Sequence, residues 1–421
     1  MSGGAPPASR AAATAQFHQN NQEDTTMSQD FIPARRRILT AAAGTTVLVS
    51  APGFVRSAFA QPKEFKVGFF IALSGPASLF GPTQRACADL AAEKINKAGG
   101  ILGRPLRLIF TDAGGPPAET AKSAVRLMLE DKVDLFIGSH DSATREANIA
   151  TIKGKVAYIY SPVYEGGECS PNVYCLGETP PQQAQPATEF LAKEKNAKTF
   201  YLIGDDYVWP RKSNEQIKKY VAQYGGRIVG EEYVPFGAPN KFDEAVTRIK
   251  GVKPDAVIAT LVGGDNVNFN RTFAGFGLDK TIARLSMLLE ENTLMGIGAE
   301  NSANLYSCMG YYANSPAEGA KAFKAEYLAK YGAKAPQLAT IGADCYSALN
   351  LAKALFDKAG ANDAKKLTAA SEGLSFESAS GRVTMHGRQV DKDMYLASCK
   401  GTEFEVIKTI KAVKSGTACR A

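Results

Sequence analysis

Histidine is almost absent from this 421-residue chain, which has only His18, His140 and His386. No two of them stand at a metal-ligand spacing, and neither an HExxH helix nor a close Cys pair of the zinc-site kind occurs. The G-x-S-x-G nucleophile elbow and the phosphate-binding G-x-x-x-x-G-K-[ST] loop are also missing. Gly296-Ile297-Gly298 lacks the third glycine of a dinucleotide-binding turn. These absences argue against a metal hydrolase, a serine esterase, a P-loop enzyme and a nicotinamide enzyme, so neither catalysis nor a cofactor is expected. Beyond the first 60 residues the formal charge is a mild +5 without a basic cluster or run, which gives no case for nucleic acid. No apolar run approaches the roughly 20 residues needed to cross a bilayer.

What the chain has in quantity is alternation. Short apolar runs such as Phe65–Leu73, Leu106–Thr111, Val133–Gly138 and Val156–Tyr160 alternate with amphipathic stretches such as Gln84–Lys97, where Cys87, Leu90, Ala91 and Ile95 share one stripe. Gly99-Gly100 offers a left-handed stop for that helix. A break at Gly177–Gln183, around Thr179-Pro180-Pro181, precedes a second series: Thr199–Ile203, Arg227–Val234, Ala256–Leu261 and Ala283–Leu288, with helices between them. Short strands separated by helices indicate right-handed β-α-β units and parallel sheets, hence an α/β fold with two Rossmann-like halves. After Tyr306–Tyr312 the pattern turns helical (Ala317–Tyr331, Ile341–Lys358), then returns to strands at Gly381–Thr384 and Met394–Ile410. The halves are therefore expected to be interwoven.

The N-terminal region reads as an address. Arg35-Arg36-Arg37-Ile38-Leu39-Thr40 resembles a twin-arginine export signal, followed by the apolar stretch Ala41–Val49 and the small-x-small site Ala58-Phe59-Ala60 before Gln61. Residues 1–60 are excluded from the fold on that basis, and cleavage after Ala60 is expected to release a periplasmic protein. Sec export leads to the same compartment. Met27 is a second candidate start. Removing five Arg and three acids with this segment lowers the formal charge from +7 to +5.

The most distinctive block is Gly204-Asp205-Asp206-Tyr207-Val208-Trp209-Pro210-Arg211. Ser213 with Gln216 fits a capping box, and Trp209 before Pro210 is biased toward extended backbone, so both aromatics are placed on a strand-to-helix loop. Ligands of open α/β sheets bind at that carboxyl edge. The alternative is that Tyr207 and Trp209 plug a domain edge. Gly138-Ser139-His140-Asp141-Ser142-Ala143-Thr144 is a second such loop, where a helix start favours negative charge. Asp265, after Gly263-Gly264, either accepts from ligand N–H groups or caps its helix. Glu290 is a weaker acidic candidate, and His140 reads as a loop residue exposed to water.

The Tyr-x-aromatic-Pro-Arg segment resembles periplasmic solute-binding proteins of the urea and short-chain-amide type, within the branched-chain amino-acid-binding family. Matching blocks are Ser74-Gly75-Pro76 with Phe80-Gly81, Ile95–Gly103, and Tyr164-Glu165-Gly166, in the same order over residues 63–410. The resemblance implies the type I periplasmic binding fold, two lobes joined by three crossings near residues 180, 311 and 378. One lobe would comprise 61–181 with 311–377, the other 182–310 with 378–421. It implies a ligand cleft lined by Phe80, Ser142, Tyr160, Val163, Tyr164, Tyr207, Trp209 and Asp265. Ser142 would meet a ligand carboxylate or amide oxygen, and Pro162 stands where amide binders place a Thr, leaving Ser161 or backbone groups as substitutes. The implied partners are a small amide, urea-like or amino-acid solute and the permease of an ATP-driven (ABC) importer, with the protein a monomer. A cytoplasmic amide sensor of the same fold is the rival reading, and the export signal argues against it.

All seven cysteines follow residue 60. Cys169 and Cys175 flank a Ser-Pro-Asn turn signal, which predicts a disulfide between them in an oxidising compartment. Cys87 and Cys345 lie on helical stripes and read as buried thiols.

Overall fold

A computed structural model describes residues 63–138, 140–237 and 242–416. The expected export signal and its cleavage site lie outside the described residues. The first series gives strands β1 (Phe65–Ile71), β2 (Leu106–Asp112), β3 (Leu135–Ile137), β4 (Ala157–Tyr160) and β5 (Val173–Cys175). Helices α1 (Gly81–Lys97), α2 (Pro117–Arg126) and α3 (Ser142–Ile152) lie between them. The strands form one parallel sheet in the order β2-β1-β3-β4-β5. β1 is buried at every position but Lys66, because helices cover both faces, and this explains its nearly unbroken apolar sequence. α1 stops where expected, with Gly99 and Gly100 at φ +90° and +79°.

The second series runs α4 (Pro180–Lys193), β6 (Thr199–Asp205), α5 (Val208–Gln223), β7 (Arg227–Val234), α6 (Phe242–Val252), β8 (Ala256–Thr260), α7 (Gly263–Gly275), β9 (Ala283–Ser286), α8 (Glu291–Ile297) and β10 (Leu305–Met309). Helices α9 (Glu318–Tyr331), α10 (Thr340–Ala359) and α11 (Ala364–Ser371) follow. Strands β11 (Ser375–Ser378), β12 (Gly381–His386), β13 (Gln389–Lys400) and β14 (Glu403–Val413) close the chain. The second sheet is ordered β11-β12-β13-β10-β9-β8-β6-β7, with β14 on β13. It is parallel from β10 to β7 and antiparallel where β13 meets β10, β12 and β14.

The chain returns to the first sheet after β10. α10 shares an apolar cluster with Phe65, Phe69 and α1, and Thr83 Oγ1 donates to Gln337 O at 2.7 Å. Passages between the sheets follow Cys175 and Met309, and a third runs through the β11–β13 segment. Where the sequence suggested only a break, α4 begins directly at Pro180. Proline costs nothing there because the first helical N–H has no intrahelical partner, and Gln182 Oε1 reaches back to the Thr179 N–H at 3.1 Å.

Two expectations are corrected. α5 starts at Val208 with Tyr207 as its cap, five residues before the Ser213–Gln216 box. Pro210 falls in the first helical turn, where its ring is tolerated, so the extended bias on Trp209 is overridden. The Cys169–Cys175 pairing is also overturned. Cys175 is a free thiol on β5, its pKa pushed by burial to about 12, whereas Cys169 is disulfide-bonded. Cys175 is inside the sheet, and its backbone N–H is engaged with Arg388 O at 2.8 Å. Cys87, Cys308, Cys345 and Cys399 are likewise buried and free, and the remaining cysteine, Cys419, lies outside the described residues.

Differential alkylation tests this directly. Cys87, Cys175, Cys308, Cys345 and Cys399 should react only after unfolding, and Cys169 only after reduction. Recovery of a Cys169–Cys175 linked peptide would restore the original pairing.

Candidate ligand-binding cleft

The carboxyl ends of the strands of both sheets face each other across a narrow seam. Gly264 N donates to Pro76 O at 2.9 Å, and a Cβ on Gly263 (φ +53°) would stand 2.3 Å from that oxygen. The Gly263-Gly264 pair is thus what lets the two loops approach so closely. On the other side, Gln216 Nε2 of α5 donates to Glu165 O at 2.8 Å. Phe80, Val163 and Trp209 join one apolar cluster across the seam, together with Ile341, Val262 and Leu288. Trp209 is 1% exposed, so it is a packing residue as well as a wall.

The first wall is built around a cation. Arg145 of α3 is buried, with Glu165 Oε1 at 2.6 Å from Nη2, Glu168 Oε2 at 3.1 Å from Nε, and Ser142 Oγ at 2.8 Å from Nη1. Its guanidinium carbon lies 5.1 Å from the Tyr160 ring centroid and 5.4 Å from that of Tyr164. Burial disfavours the charged form, yet Glu165, Tyr160 and Cys175 together outweigh it and hold the Arg145 pKa well above its ordinary value. Burial likewise pushes the Tyr160 and Tyr164 hydroxyls up, keeping them neutral donors.

Ser142 was expected to meet a ligand oxygen. Its hydroxyl instead donates to Glu165 Oε2 at 2.6 Å while accepting from Arg145. Asp141 caps α3 and accepts from the Thr144 N–H at 2.8 Å. The negative charge favoured at this helix start is therefore supplied by the chain itself. His140, expected in solvent, is buried, with Nε2 2.6 Å from Ala113 O and its ring 6.5 Å from Phe236. Ser161, the substitute for the missing Thr hydroxyl, is buried and its Oγ has no hydrogen-bond partner.

The second wall carries Tyr207, its ring centroid 6.3 Å from Trp209 and 5.4 Å from Phe236. Burial raises the pKa of its hydroxyl, with Asp141, Asp205, Tyr160 and Glu165 adding to the effect. Asp205, at the end of β6, is fully buried and accepts from the Val262 N–H at 2.9 Å. Burial and the neighbouring Asp265 carboxyl drive the Asp205 pKa well up. Asp265 accepts from the Gly237 N–H at 2.7 Å and lies in the first turn of α7, whose cap is Val262. Glu290, read as a solvated acid, is buried as the cap of α8, its pKa pushed by burial to about 7.

Arg145, Glu165, Asp205, Gln216 and Phe236 were missed as site residues. Ser142 and Arg145 stand three apart, a helix-face spacing that could have linked them. Nothing local marks Asp205 or Phe236.

A family model described as periplasmic binding protein matches residues 64–403. The Leu/Ile/Val-binding protein BraC3 of Rhizobium johnstonii is 24% identical over 368 residues, covering 81% of this chain and 91% of that protein. A solute-binding protein of an ABC transporter from Rhodopseudomonas palustris HaA2, solved with p-hydroxybenzoic acid, superposes with TM-score 0.76 at 23% identity, covering 84% of this chain and 99% of its own. The branched-chain amino acid transporter substrate-binding protein LivJ from Streptococcus pneumoniae, solved with isoleucine, gives TM-score 0.73 at 23% identity, covering 83% and 100%. These likenesses establish the type I fold with its parallel sheets.

Replacing Arg145 by Met strands Glu165 and Glu168 without their cation. Denaturant unfolding should show a loss of about 3–5 kcal/mol, the usual cost of breaking a buried pair from one side. An unchanged midpoint would mean that the cluster is solvated.

Proposed function

The chain belongs to the periplasmic binding protein family, and on that premise we propose that it captures a small amide or urea-like solute for an ABC importer. The proposed route begins with export directed by residues 1–60 and continues with delivery by the periplasmic protein to a membrane permease. The proposed lobes are 61–181 with 311–377 and 182–310 with 378–421, closing on the solute about the three passages between them. Among the described residues no helix is long and apolar enough to cross a membrane.

The observation that carries the choice of solute is the placement of charge. Asp141 and Glu165 of the first wall and Asp205 of the second each add to the raised pKa of the Tyr207 hydroxyl, and Asp265 neighbours Asp205. The Arg145 guanidinium is already bound to two glutamates. Such a cleft offers acceptors for N–H groups and neutral hydroxyl donors for a carbonyl. A solute carboxylate would meet like charge without a free counter-ion, which costs binding and selects against acids. Urea and short-chain amides fit this pattern. An amino acid fits through its ammonium group, but its carboxylate needs a donor other than Arg145. The ligand residues proposed are Phe80, Ser142, Tyr160, Val163, Tyr164, Tyr207, Trp209 and Asp265. Phe80, Val163 and Trp209 would act through shape, Ser142 through its hold on Glu165.

A thermal-shift screen of urea, formamide, acetamide, leucine and p-hydroxybenzoate tests the reading. Solute at a hundred times its Kd stabilises by about 2.7 kcal/mol, so a true ligand should raise Tm by several degrees. Urea or an amide is expected to do so below denaturing concentrations. A shift with p-hydroxybenzoate alone would overturn the solute class. Tyr207→Phe should lower affinity about fivefold through one lost hydrogen bond of about 1 kcal/mol, leaving the unliganded Tm unchanged.

A further inference from the structure

The three passages between the sheets converge on a second buried ionic cluster, joined to the first wall where the Tyr164 N–H donates to Glu178 O at 2.9 Å. Glu178 follows β5, Gly310 follows β10, and Lys392 lies on β13, so each passage contributes one member. Glu178 Oε1 accepts from Lys392 Nζ at 3.2 Å and from the Gly310 N–H at 3.0 Å. A Cβ at residue 310 would stand 2.5 Å from that carboxylate oxygen and 2.8 Å from Lys392 Cδ, so glycine here lets both side chains keep these positions. Beside them is a cavity of ≈ 20 Å³ lined by Asp344 of α10, Tyr311, Ser380 and Lys392, among others. That is room for one water molecule.

The cluster holds two acids and one base. Glu178 takes the lysine, while Asp344 Oδ2 is buried with no hydrogen-bond partner, as are Glu178 Oε2 and the Tyr311 hydroxyl. A bare carboxylate in such a place would be costly, and a protonated one would not. The groups acting on Asp344 are Glu178, which opposes ionisation, and Lys392, which favours it. The thiols of Cys345 on the same helix and Cys87 on α1 also face it, and both are held neutral by burial. Burial and Glu178 together prevail, raising the Asp344 pKa well above the usual carboxylate range.

We propose that Asp344 is a proton-carrying hinge residue: protonated and bridged through one internal water to the Glu178–Lys392 pair when the passages are packed together, and ionised when they part. Parting admits water to the cavity, stabilises the carboxylate and releases the proton. Rising pH therefore favours the open arrangement of the sheets and falling pH the closed one. This device is independent of which solute the cleft takes.

The sign follows from proton linkage. Between the unfolded and folded pKa of Asp344 the folded state binds the extra proton, so wild-type stability falls as pH rises through that window. Asp344→Asn keeps the shape of the neutral acid and has no proton to lose. Its Tm relative to wild type should climb by several degrees from about pH 4, the unfolded Asp value, to about pH 7. A pH-independent difference would overturn the proposal. The wild-type-minus-variant infrared spectrum at neutral pH should contain a protonated-carboxyl C=O band, and its absence would be equally fatal. Glu178→Gln provides a second route if the first variant folds poorly. It frees Lys392 to draw out the Asp344 proton, so the same band should vanish from the wild-type-like spectrum, and its survival would count against the scheme. For the coupling, small-angle scattering of ligand-free wild type should give a larger radius of gyration at high than at low pH, with Asp344→Asn flat. An identical response in both proteins would contradict it.

Discussion

The guanidinium of Arg145 is held between Glu165 at 2.6 Å and Glu168 at 3.1 Å, and the cleft is arranged around that buried charge. A guanidinium suits this place because it presents a planar fork of donors to several acceptors at once and packs its faces on rings, which a lysine ammonium does not. With its donors committed to Glu165, Glu168 and Ser142, it fixes the Tyr160–Glu168 segment against α3. That segment then presents the Glu165 carbonyl to Gln216 and the Val163 side chain to the apolar seam. Contact between the two sheets is thus set from inside the first.

The same arrangement carries the proposal of what the cleft accepts. A helix start and a buried guanidinium look together like an anion site, and in the sequence the α3 loop reads that way. Folding fills both with the chain's own carboxylates. What is left facing the seam is acceptor-rich, with neutral tyrosine hydroxyls as donors and aromatic faces as walls. On the proposed reading, selectivity against acids would come from charges already placed, without a dedicated repelling group.

Alternation of apolar and amphipathic runs made the α/β class and most elements legible, down to the paired glycines that stop α1. The failures have local causes. β5, α8 and β11 are three to seven residues long, too short for periodicity to register. The start of α5 was misplaced because a proline in the first turn costs little, and the rule for the residue before proline gave way to that geometry. The cysteine pairing failed because a turn signal between two cysteines says nothing about where a strand takes one of them. Here β5 carries Cys175 into the sheet while Cys169 stays on the preceding loop. At the site, the loops that meet were readable from strand ends and motif blocks, and the residues placed on them do lie around the seam. Which polar group engages which was not readable. Ser142, Arg145 and Glu165 depend on tertiary contacts, and Phe236 becomes a neighbour of Tyr207 only after β6 and β7 pair.

The central claim is that one solute is held by both walls at once. Hydrogen–deuterium exchange with and without the best-stabilising solute tests this most directly. Joint protection of residues 160–165 on the first wall and 205–216 on the second is the predicted result. Protection confined to one wall, or found elsewhere in the chain, would contradict it.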